Sequence, residues 1–104
     1  MSPSRSSTRR DSRTFEFEHG GIRYTASASF FPESGAIAEL FLRGGKTGSA
    51  AEIAAHDGAI ILSIALQFGV PLSAIRHAML KLQDGTAAGP LGRALDIIEA
   101  GAYG

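Results

Sequence analysis

Apolar and polar residues alternate over residues 14–18 and again over 22–30, and from residue 50 onward apolar residues recur every three or four positions. Phe15 and Phe17 alternate with Thr14, Glu16 and Glu18; Ile22, Tyr24, Ala26, Ala28 and Phe30 alternate with Arg23, Thr25, Ser27 and Ser29. A period of two puts each set on one side of a strand, so both runs predict strands with one wet face. His19-Gly20-Gly21 joins them as a hairpin turn, because adjacent glycines supply the positive φ values that a tight turn needs. Pro32-Glu33-Ser34-Gly35 predicts a second turn, and residues 36–43 a third strand with Leu40 and Leu42 opposite Ile37 and Phe41. Three consecutive strands on short turns form an antiparallel meander.

Ser49 with Glu52 three residues on has the spacing of a capping box, which predicts a helix start. Ala50, Ile53, Ala54, Ile61, Ile64, Ala65 and Phe68 then define one helical face, widened by Ile60, Leu62 and Leu66. Glu52, His56, Ser63 and Gln67 remain as the polar stripe. A helix so apolar is expected to be covered on more than one side, by the sheet and by other helices or a second subunit. Gly69 ends it and Pro71 opens a second helix over 71–82, with Leu72, Ile75, Met79 and Leu82 inward. Asp84-Gly85 stops that helix, and Pro90 opens a third with Leu91, Ala94, Leu95 and Ile98 on one side. The predicted fold is α+β: a three-stranded antiparallel β-meander followed by three helices, the first long and apolar.

Composition limits the size and chemistry. The chain has 104 residues, enough for one small domain. Its 44% hydrophobic content includes 17 alanines, so the core is thinner than the percentage implies, and a homo-oligomer sharing the apolar helix is expected. With no cysteine, disulfides, thiol catalysis and thiolate metal sites are excluded, and the residue usage fits a reducing cytoplasm. No apolar run is long enough for a membrane span, so a cytoplasmic location is expected. The ten basic and ten acidic side chains balance overall but not locally. Residues 1–13 hold Arg5, Arg9, Arg10 and Arg13 against one aspartate, with five serines, and are expected to be a disordered tail ahead of a domain over 14–104. Such an arm either solubilises the chain or touches nucleic acid weakly.

Candidate chemistry is sparse. Gly44, Gly45, Lys46, Thr47, Gly48 and Ser49 lie between a strand end and a helix start, where backbone amides and the helix dipole favour an anion such as a phosphate. The Walker spacing fails because its first glycine position is Leu40. The same glycines also serve a plain strand-to-helix corner that Ser49 caps. Asp57 falls on the apolar face and is expected to be a buried carboxylate paired with the glycine loop, Ser49, Arg76 or Arg93. His19, His56 and His77 are spread over a turn and two helices and predict no metal site. No acid, base and nucleophile stand at a recognisable spacing, so no catalytic residue and no cofactor is assigned.

The run AELFLRGGKTGSAAEIAAHDGAIILSIALQFGVPLSAIRHAMLKL resembles the TSCPD domain, found at the C-terminus of adenosylcobalamin-dependent ribonucleotide reductases and as short stand-alone bacterial proteins. The likeness covers residues 22–82: a strand running into Gly45-Lys46-Thr47-Gly48-Ser49, an alanine-rich helix with a late Ile-Leu-Ser-Ile-Ala-Leu, and Gly69-Val70-Pro71 with Ile75 and Leu82. The Thr-Ser-Cys-Pro-Asp motif itself is missing; its place holds Phe17-Glu18-His19-Gly20-Gly21-Ile22, so a cysteine-dependent role does not carry over. The resemblance implies a non-catalytic, ribonucleotide-reductase-associated accessory domain binding a nucleotide phosphate or a protein partner. A homodimeric interaction module without a small ligand is the alternative.

Overall fold

The computed structural model describes residues 11–101. Strands β1 (Asp11–His19), β2 (Ile22–Phe30) and β3 (Ile37–Gly44) form one antiparallel sheet in the order β1-β2-β3. Helices α1 (Ala50–Gln67), α2 (Leu72–Ala78) and α3 (Pro90–Ala100) follow. The chain is therefore an α+β meander followed by three helices. β1 starts at Asp11, so the last three residues of the expected tail are strand. Residues 1–10 of that tail, with Arg5, Arg9 and Arg10, lie outside the described residues.

Each strand keeps the alternation read from the sequence. Gly20 and Gly21 both have positive φ, 59° and 78°, which closes β1 and β2 in the two-residue turn whose twist matches the strands. Register places Phe15 across from Ala26, Phe17 across from Tyr24 and Ala28 across from Leu40, all buried on one face. The Phe17 and Tyr24 rings stack with centroids 5.5 Å apart. The other face is polar: Arg23 donates to Glu16 at 2.8 Å, Ser29 donates to Glu39 at 3.1 Å, and Phe41 is its exposed apolar residue.

Helix α1 lies along β3, and the side it buries differs from the expected one. Ala55, Ala59, Leu62, Ser63 and Leu66 face the sheet. Ile53, Ile61, Ile64 and Phe68 point to solvent, between 42 and 68% exposed. Part of the supposed polar stripe faces inward instead. Ser63 Oγ accepts from Leu40 N–H at 2.8 Å and donates to Leu40 C=O at 2.9 Å, while the Gln67 amide donates to Ala38 C=O at 2.5 Å. β3 is an edge strand, and its outward backbone groups need partners once a helix excludes water from them. Ser63 and Gln67 supply those partners, and the helix is rolled about half a turn from the orientation its isoleucines suggest.

The segment after α1 also departs from expectation. α2 stops at Ala78, four residues before Leu82, and Met79 is already extended. Residues 80–88 fold back on themselves: Lys81 bridges Ala87, Leu82 N–H donates to Thr86 C=O at 2.8 Å and Ala88 N–H donates to Leu80 C=O at 3.1 Å. Asp84 sets the corner by accepting from both Thr86 N–H and Thr86 Oγ. Leu82 is consequently exposed rather than inward. α2 is held to α3 by Arg76, which donates to both Asp96 and Glu99. α3 buries Ala94, Leu95 and Ile97, with Leu91 and Ile98 packed against the core.

Candidate functional site

The corner at 44–49 forms as the glycine pattern requires. Gly45 and Gly48 have φ of 83° and 80°, and Ser49 caps α1 by accepting from Glu52 N–H at 3.2 Å. Gly44 is required for a different reason: a Cβ there would lie 2.4 Å from the Tyr24 ring and 2.6 Å from Arg23 C=O. Glu52 reaches back one residue further than in a standard capping box, taking Gly48 N–H at 2.6 Å, while Ser49 N–H donates to Lys46 C=O at 2.9 Å. The chain's own carboxylate thus lies at the position where a bound anion would meet the Gly48 amide. Lys46 and Thr47 are exposed beside it.

Asp57 is not buried. Its side chain is 66% exposed and accepts from His56 Nδ1 at 3.3 Å. The expectation of a buried pairing with the glycine loop, Ser49, Arg76 or Arg93 is corrected by the roll of α1, which turns the face carrying Asp57 outward. Arg76 is engaged instead by α3. His19 Nε2 meets Ala88 C=O at 2.9 Å; a carbonyl only accepts, so this nitrogen carries the proton and ties the β1–β2 turn to the 80–88 fold-back. Among the described residues no group of three His, Asp or Glu is placed to hold a metal ion. No helix among them is long and apolar enough to cross a membrane.

Three concave regions among the described residues border α1. One, of about 360 Å³, is lined by Tyr24, the first turns of α1 and residues 88–92 at the start of α3, and is mostly apolar. Another, of about 670 Å³, lies at the opposite end between the β2–β3 turn, Leu66, residues 69–72 and Ile98. Neither of these two contains a set of convergent charged groups; the third, of about 270 Å³, is lined by Leu42, Arg43, Glu52, Ile53, His56 and Asp57.

The most distinctive surface is the outer side of α1. Ile53, Ile61, Ile64 and Phe68 are spaced 8, 3 and 4 residues apart, which at 100° per residue places them on one side of the helix, with Asp57 filling the gap and Ile60 half-buried at the margin. Their positions were legible in the sequence as a helical face. That the face turns to solvent was not, because the signal lay in Ser63 and Gln67 satisfying a strand edge.

Comparison of the chain with family models, curated protein sequences and solved structures finds no match.

Proposed function

We propose that this chain is a non-catalytic interaction module, an accessory domain of the TSCPD-like type, whose partner-binding surface is the outer face of α1. The observation that carries this reading is the set of four large apolar side chains, 42 to 68% exposed, on the side of an 18-residue helix opposite its sheet contact. A grouped apolar patch on a monomer marks an interaction surface, whereas singly scattered apolar residues do not. Covering the exposed half of each side chain contributes about 1 kcal/mol, enough in sum to supply a binding hot spot. The test is a photo-crosslinking amino acid placed at Ile61 or, as a control, at Thr25 on the polar sheet face, in cells expressing the chain. Protein adducts at 61 and none at 25 are expected. Adducts at 25 with none at 61 would remove the reading.

A second reading, phosphate binding at 44–49, is favoured by the exposed Lys46 and by the positive-φ glycines at the start of α1. A phosphate must displace the Glu52 carboxylate from Gly48 N–H to bind there. Nucleotides would then raise the melting temperature, Lys46→Ala would abolish the rise and Glu52→Gln would enlarge it. Absence of any rise in both the native chain and Glu52→Gln removes the phosphate reading.

A further inference from the structure

Tyr24 is only 3% exposed, yet its hydroxyl has no hydrogen-bond partner among the described residues. A buried phenol ordinarily finds one, because an unmet hydroxyl forgoes the bonds that water would have given it. No side-chain oxygen among the described residues is both sealed from solvent and unpaired, so this hydroxyl is reached from the cavity of about 360 Å³ that Tyr24 lines. The same cavity takes in the start of α3. Gly89 is the N-cap there and has no side chain to offer, and the amides of Leu91 and Gly92, two residues that line the cavity, have no acceptor among the described residues. We propose that this cavity binds a small carboxylic acid with an apolar body, its carboxylate accepting from the Tyr24 hydroxyl and from the first amides of α3.

The chemistry of the lining selects that class of ligand. Backbone amides can only donate and a phenol can donate, so the group that meets them is an acceptor. The N-terminal end of an 11-residue helix adds partial positive charge, which favours an anionic acceptor over a neutral one. No acidic side chain lines the cavity to repel an anion, and no lysine or arginine lines it to hold a phosphate. Apart from Tyr24 the lining side chains are those of alanine, glycine, proline, leucine and methionine, which suit a hydrocarbon or aromatic body. The volume is at the small end for ligand pockets, and Leu80, 79% exposed on the fold-back beside it, is an apolar group that such a body covers. The site uses none of Ile53, Ile61, Ile64 and Phe68 and none of residues 44–49, so it stands or falls apart from both readings above.

Phenylacetate, phenylacetamide and phenethylamine share one apolar body and differ in the polar group, so together they test the assignment. Each is titrated into the full-length chain while the backbone amides are followed by NMR. Phenylacetate should shift the Leu91 and Gly92 amides saturably with a Kd below about 1 mM, and bind at least about tenfold more tightly than the amide or the amine. Tyr24→Phe should weaken phenylacetate at least about threefold without lowering the melting temperature, because the hydroxyl has no partner in the fold to lose. Ala54→Leu, at an exposed position on the cavity wall, should block binding while the spectrum stays native. No saturable shift at Leu91 and Gly92, or full binding retained in Ala54→Leu, would overturn the site. Phenethylamine binding as tightly as phenylacetate would overturn the carboxylate as its ligand. An unchanged Kd in Tyr24→Phe, or a melting temperature lowered by that substitution, would overturn the part given to the hydroxyl.

Discussion

Ser63 Oγ both accepts from and donates to the backbone of Leu40, at 2.8 and 2.9 Å, with only 7% of the serine exposed. A single hydroxyl thereby satisfies an N–H and a C=O of an edge strand that a helix has shut off from water. Ser63→Ala removes both partners and leaves two buried backbone groups unmet, at a cost of about 2 to 3 kcal/mol. The melting temperature should fall by roughly 10 °C or more in a domain of this size. Ser63→Thr tests the contact separately, since it retains the hydroxyl while adding a methyl group. A melting point unchanged in Ser63→Ala would show that the helix is not seated by this contact.

Gly44→Ala should destabilise through overlap rather than through backbone strain. The added methyl would lie within 3.0 Å of two Tyr24 ring atoms and of Arg23 C=O, and Tyr24 is itself packed in the core. Forcing that contact costs about 1 to 3 kcal/mol. Gly48→Ala meets no neighbour within 4 Å but has φ of 80°, so its cost, about 1 kcal/mol, comes from conformation alone. Urea unfolding of the two variants should rank Gly44→Ala as the more damaging.

The fold-back at 80–88 should loosen in acid. Hydrogen bonds from the Thr86 hydroxyl and then the Thr86 amide hold the Asp84 carboxyl below its ordinary value of 3.8. A carboxyl whose folded-state value is depressed contributes its stabilisation above the unfolded value and loses it as pH falls through the folded one. The contribution is therefore complete near neutral pH and disappears below about pH 4. Amide exchange at Thr86 should rise over that range in the native chain. In Asp84→Asn the step should be absent.

Arg76 is the polar tether between α2 and α3, reaching Asp96 and Glu99 from a helix with no buried residue of its own. Arg76→Met should cost about 1 kcal/mol globally, since the group is partly solvated and the ion pairs are screened. The larger effect should be local, as faster amide exchange in α2 with that in α1 unchanged. Equal acceleration in both helices would mean that Arg76 supports the whole core.

The sequence by itself determined the elements that rest on local chemistry. The meander follows from two-residue alternation and paired turn glycines, the α1 start from Ser49 and Glu52, and the end of α1 from Gly69, because each depends on φ preferences and neighbours a few residues away. The corner at 44–49 was legible for the same reason. Only the tertiary structure decided which side of α1 meets the sheet. The isoleucines outweigh the serine and glutamine in any hydrophobic count, yet the cost of burying unpaired backbone groups on β3 fixes the helix with Ser63 and Gln67 inward. That long-range requirement exposed Asp57 and left Ile61 and Ile64 facing solvent. The shortening of α2 has the same kind of origin. Its periodicity runs on to Leu82, but the pairing of 80–82 with 86–88 supplies the backbone partners that another helical turn would have supplied.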